Sequence, residues 1–151
     1  MHKKKLLIIT VLLGLTALSC GKRPPQQPAI AGGSAVTTLR AIVSAYEIKD
    51  ISSFSEKIAR DFPDREAFLR TVATAFGKYD SIRFRVQHTK MLIMIEEDGG
   101  IRLTFTWDAE WRIGERMTKD GGRVTFVFDP AGSLLRSIEG KDPFAPAEKR
   151  L

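Results

Sequence analysis

Side chains able to move a proton are scarce on the faces that periodicity would turn inward in this chain. His88 shares parity with Ile82, Phe84 and Val86, so an unbroken strand would aim its imidazole toward the apolar side, where a base that titrates near neutrality is useful. A bulge near Thr89 and Lys90 would reverse that face, and a rim or surface histidine is the expectation. Tyr46 lies on the apolar stripe of a predicted helix and would offer a hydroxyl to a cavity, although such a tyrosine more often packs its ring and bonds a backbone acceptor. With Tyr46 and His88, the aromatic residues Phe105, Trp107, Trp111 and Phe126 make a candidate ligand pocket, in competition with their use as ordinary core.

Other chemistries find less support. Gly99-Gly100 and Gly121-Gly122 read as hairpin turns, and neither precedes a helix, so no phosphate-cradling loop is expected. No GxSxG elbow presents a serine nucleophile. A single cysteine, with His88 the one histidine beyond the leader, argues against a disulfide, a CxxC redox centre or a transition-metal site. No catalytic residue, metal or cofactor is therefore expected, and the chain reads as not an enzyme.

That cysteine, Cys20, carries a different chemistry. Lys3, Lys4 and Lys5 precede an apolar run from Leu6, and Thr16-Ala17-Leu18-Ser19-Cys20 follows as a small-residue cleavage zone. The run from Leu6 to Leu18 is 13 residues, short of the roughly 20 that cross a hydrocarbon core. Residues 1–19 thus read as a signal peptide. Ser19-Cys20 resembles the lipobox of bacterial lipoproteins, with Ala17 where that family favours leucine. The resemblance implies cleavage before Cys20, a diacylglycerol on its sulfur and an acylated amino terminus, which together anchor durably where one chain alone is marginal. Gly21 after the cysteine resembles lipoproteins passed to the outer membrane, which implies a lipid-anchored protein on its periplasmic side.

Processing changes the meaning of the charge. The whole chain is +6, but removing Lys3, Lys4 and Lys5 leaves 21 basic residues against 18 acidic, and setting aside Lys22 and Arg23 leaves 19. The folded part is nearly neutral, with no basic block interleaved with aromatics, so nucleic acid is not an expected partner.

The elements that would position these residues follow from spacing. Residues 20–35, rich in Pro, Gly and Gln, read as a tether; residues 36–144 as one domain; residues 145–151 as a disordered tail. Leu39, Ile42, Val43 and Tyr46 mark a first helix, Asp50 caps a short second one, and Phe68, Val72, Ala75 and Phe76 mark a third. Strand alternation then takes over at Ile82, Phe84 and Val86, and again at Met91, Ile93 and Ile95. It is clearest over residues 101–113, where Leu103, Phe105, Trp107, Ala109, Trp111 and Ile113 share one face. Turns at Asp98-Gly99-Gly100, Lys119-Asp120-Gly121-Gly122 and Asp129-Pro130-Ala131-Gly132 would complete an antiparallel meander.

Helices followed by a strongly curved meander make an α+β fold. The order of elements, the Tyr46-Glu47-Ile48-Lys49-Asp50 junction and the closing Ile138-Glu139-Gly140 resemble the NTF2-like, or cystatin-like cone, superfamily. That resemblance implies a concave interior and pairing through the open sheet. The expected role is a noncatalytic binding or assembly module of the cell envelope, with an envelope protein or second copy on the sheet face. A carrier of a small hydrophobic ligand is the first alternative, and an isomerase or dehydratase using His88 or Tyr46 the second.

Overall fold

The computed structural model describes residues 28–144 and residue 146, with side chains from Gly32 onward. The signal peptide, Cys20 and the tether up to residue 27 lie outside the described residues, as does the tail apart from Pro146. No described helix is long and apolar enough to cross a membrane.

Helix α1 spans Pro28–Glu47, α2 Ile51–Ser55 and α3 Arg65–Lys78. The first begins inside the segment read as tether. Proline suits the first helical position, and Ala35 is fully buried, so the helical stripe reaches further toward the amino terminus than the bulky residues announce. Gly32 packs against Ile93, which a Cβ there would meet at an ordinary contact distance of 3.4 Å. Ala35, Leu39, Ile42 and Tyr46 then form one buried face. Asp50 caps α2 as expected, its carboxylate accepting from the N–H groups of Ser52 and Ser53 at 3.0 and 3.1 Å.

Strands β1 (Ser81–Ile95), β2 (Ile101–Ile113), β3 (Arg116–Phe128) and β4 (Leu135–Gly140) form one antiparallel sheet in that order. The parity of β1 changes between Gln87 and Leu92, where the register with β2 shifts. This bulge gives Ile82 and Phe84 the same face as the later Ile93 and Ile95, and it helps the sheet curl. The turn expected at Lys119-Asp120-Gly121-Gly122 is instead strand. Gly121 and Gly122 pair with Asp108 and Trp107, and the chain reverses at Gly114-Glu115. A Cβ on Gly121 would meet the Trp107 carbonyl oxygen at 2.9 Å, so this glycine serves close strand approach where the pair had signalled a reversal.

The helices cover the concave face of this sheet. Trp107, Trp111, Phe105, Phe126, Phe128, Tyr46, Phe54 and Phe144 are its largest fully buried side chains. Burying one such ring stabilises the fold by about 1.5–3 kcal/mol before entropy is counted.

Candidate functional site

Five of the six candidate pocket residues come together, but as packed core. Tyr46, Phe105, Trp107, Trp111 and Phe126 are all at most 1% exposed. What closes the interior is Phe144, from the segment after β4. Its ring stands 4.8 Å from Tyr46, 5.1 Å from Phe54, 5.7 Å from Phe84 and 5.9 Å from Phe126, measured between centroids. These edge and offset contacts suit aromatic quadrupoles and leave the cone filled by its own chain.

Polar bonding locks this plug. The Tyr46 hydroxyl donates to the Phe144 carbonyl oxygen at 3.0 Å and accepts from Trp111 Nε1 at 2.9 Å. Burial raises the Tyr46 pKa against the lowering effect of Trp111, and the Asp142 carboxylate adds to the rise. Tyr46 is thus a neutral structural bridge with both bonding roles of its hydroxyl taken. Trp107 is stacked on Phe84 at 5.7 Å, and its buried Nε1 meets no hydrogen-bond partner among the described residues. His88 falls within the β1 register shift and is exposed, as the bulge reading required. It is not brought to the aromatic cluster.

An open cleft lies beside the plug. About 320 Å³ in volume, it runs between the entry to α3, with Phe62, Pro63, Phe68 and Thr71, and the last strand, with Ser137, Ile138, Gly140 and Asp142. Gly140, at φ +96°, turns the chain out of β4 there, its backbone packed against β3 where a Cβ would stand 3.3 Å from the Arg123 carbonyl oxygen. The turn sets Asp142 on the cleft wall. Its Oδ1 accepts from the Phe144 N–H at 2.9 Å. Burial pushes the carboxyl above the ordinary aspartate range, partly offset by that N–H. A half-buried carboxyl against phenyl rings can hydrogen-bond a ligand in either protonation state, and a raised pKa suits it to exchange a proton with one.

Sequence reasoning missed Asp142 because it searched the alternating faces of strands, whereas this carboxylate sits on an irregular turn. Its sequence signal is local: Gly140 followed by Asp142-Pro143-Phe144, a turn that ends on a bulky ring. Among the described residues no group of three His, Cys, Asp or Glu side chains is placed to hold a metal.

No protein-family model matches the chain, and no curated protein does. Solved structures do. A candidate dehydratase of the NTF2-like family from Streptomyces avermitilis superposes with TM-score 0.61 at 18% identity, over 74% of this chain and 95% of that one. A nuclear transport factor 2 superfamily protein from Salmonella enterica gives 0.63 at 10% identity, over 82% and 96%. A candidate aromatic ring hydroxylase from Novosphingobium aromaticivorans gives 0.63 at 12% identity, over 75% and 89%.

Identities this low establish the fold alone. They nevertheless correct the expectation that the chain is not an enzyme, because the same architecture carries proteins described as a candidate dehydratase and a candidate hydroxylase. That expectation rested on strand faces without acids or bases, and Asp142 supplies one from outside them. Three helices packed on a curved four-stranded antiparallel sheet give this chain the NTF2-like cone fold.

Proposed function

We infer that this is a membrane-tethered domain that binds a small ring compound in the Asp142 cleft and transfers a proton on it. One observation carries the reading: a half-buried carboxyl with a raised pKa lines a cleft walled by Phe62, Phe68 and Ile138. Flat apolar walls suit a ring, and a lone carboxyl suits a hydroxyl or carbonyl on it. Protonated Asp142 donates to that oxygen; ionised, it accepts a proton from the ligand. A candidate dehydratase among the structural neighbours is compatible with such chemistry.

The test is deuterium exchange at the carbon beside the carbonyl of a small cyclic ketone in heavy water, followed by proton NMR. Exchange with the wild-type chain should exceed that with Asp142→Asn by about 100-fold, the usual lower scale for a positioned acid or base. Ketone-induced shifts without exchange would leave a carrier. Neither shifts nor exchange would remove the cleft reading.

The address is proposed on the same footing. Lipidation at Cys20 would hold the domain on the periplasmic side of the outer membrane, with the mixed-charge outer sheet face of Arg83, Arg85, Glu110 and Arg112 turned to an envelope partner. Cys20→Ala should release the protein from the membrane fraction, and retention there would refute the anchor.

A further inference from the structure

The two halves of β1 meet different surroundings. Ile82 and Phe84 are buried, whereas Leu92, Ile93, Met94 and Ile95 are 49%, 45%, 52% and 44% exposed. Side chains alternate along a strand, so Leu92 and Met94 open one face and Ile93 and Ile95 the other. The strand is also an edge, since β1 pairs with β2 alone among the described strands. A cluster of large apolar side chains open on both faces marks a surface that something else covers.

The course of the chain says what lies beside it. Gly32, in the second turn of α1, stands against Ile93, whose side chain a Cβ there would meet at 3.4 Å. Helix α1 begins at Pro28, and only residues 21–27 separate it from Cys20. At a covalent limit of about 3.6 Å per residue, Cys20 lies within about 30 Å of Pro28, and the helical rise to Gly32 adds about 6 Å. A domain of this length is roughly 35 Å across. A lipid on Cys20 therefore holds the Ile93 end of the domain at the bilayer. Ile113 and Met117, also exposed and apolar, lie at the other end of the sheet, since Ile95 pairs with Ile101 at the opposite end of β2 from Ile113.

The backbone limits how deep such a contact goes. The free edge of β1 carries N–H and C=O groups that hydrocarbon cannot satisfy, so it belongs at the headgroup boundary, where water remains. Charge sets a second limit. Glu96 is paired with Arg102 at 3.2 Å and Asp98 accepts from the Gly100 N–H at 2.9 Å, but Glu97 is exposed, so the hairpin tip gains nothing from anionic lipid.

We propose that Leu92, Ile93, Met94 and Ile95 dip into the headgroup boundary of the bilayer that holds the Cys20 lipid, making the end of β1 a second, apolar membrane contact. It rests on the Cys20 anchor proposed above. The Asp142 cleft borders β4, the opposite edge of the sheet, so the contact leaves it free.

The test uses the full-length chain expressed in its membrane and reconstituted into phosphatidylcholine vesicles, with Met94→Cys or Ile113→Cys carrying an environment-sensitive maleimide fluorophore. A lipid on the Cys20 sulfur leaves the introduced cysteine as the only thiol to label, because the chain has no other. The label at 94 should be shifted to the blue, shielded from iodide and quenched more by a nitroxide near the top of the acyl chain than by one near its end. The label at 113 should be quenched by iodide alone. Leu92→Ser with Ile95→Ser should abolish the lipid quenching at 94 and leave the circular dichroism unchanged, and adding phosphatidylglycerol should not strengthen it. With one label per chain, equal iodide quenching at 94 and 113 would overturn the proposal and leave the anchor standing. Shielding at 94 without lipid quenching would also overturn it, showing a protein or a second copy on the strand. Two labels per chain would show a free Cys20 thiol and remove the anchor together with the contact that rests on it.

Discussion

The aromatic interior of the cone and the far end of β1 are built from similar material and end in opposite states. Phe84, Phe105, Trp107 and Phe126 lie at most 4% exposed, whereas Leu92, Ile93, Met94 and Ile95 on the same curved sheet are about half open. The difference is cover. Helices α1 to α3 and the returning Phe144 close one end, while among the described residues α1 meets the other at Gly32, beside Ile93. Apolar character therefore marks surface that needs a lid, and topology decides whether the chain supplies the lid itself.

The largest expected effect breaks this contrast at its closed end. Phe144→Ala should lose about 3–5 kcal/mol in urea unfolding, since it removes a ring that touches five others, while Leu92→Ala should change stability by less than about 0.5 kcal/mol in the monomer. Equal losses would mean that Phe144 is no plug. Tyr46→Phe comes next, at about 1–3 kcal/mol, because it strands the Trp111 Nε1 donor and the Phe144 carbonyl in a dry core. An unchanged melting curve would show that this bridge is not formed.

The smallest effect sharpens the comparison through pH. Burial holds the folded-state pKa of Asp142 above its unfolded value, so the folded protein binds that proton more tightly. The resulting stability is present in full below the ordinary aspartate range and is lost as pH rises through the raised value. Asp142→Asn keeps an Oδ1 acceptor for the Phe144 N–H and removes the titration. It should flatten that part of the melting profile and melt higher than the wild type above it. Parallel profiles for the two proteins would place Asp142 in water.

Much of this was legible in the residues themselves. The stripe Leu39, Ile42, Tyr46 and the alternation from Leu103 to Trp111 are periodic, and both are buried as that periodicity requires. Even the β1 bulge was visible, in apolar positions that change parity between Val86 and Met91. What escaped has no period. Gly121-Gly122 looks the same in a turn and in a strand, and only its partner Trp107, distant in sequence, tells them apart. Lys141 to Phe144 reads as a proline-bearing domain end, although its last ring enters the core. The ligand pocket was accordingly sought among the residues that Phe144 covers, and its open neighbour was overlooked.

The most direct test of this account asks where a small apolar ring compound binds. Titrating the full-length protein in detergent with a cyclic ketone, and following side-chain NMR signals, separates the two places. The account predicts shifts at Thr71, Ile138 and Asp142, with the Trp107 indole and Phe105 signals unmoved. Shifts at Trp107, Phe105 and Phe126 with the Asp142 cleft silent would contradict it, showing that Phe144 yields and that the cone interior is the true site.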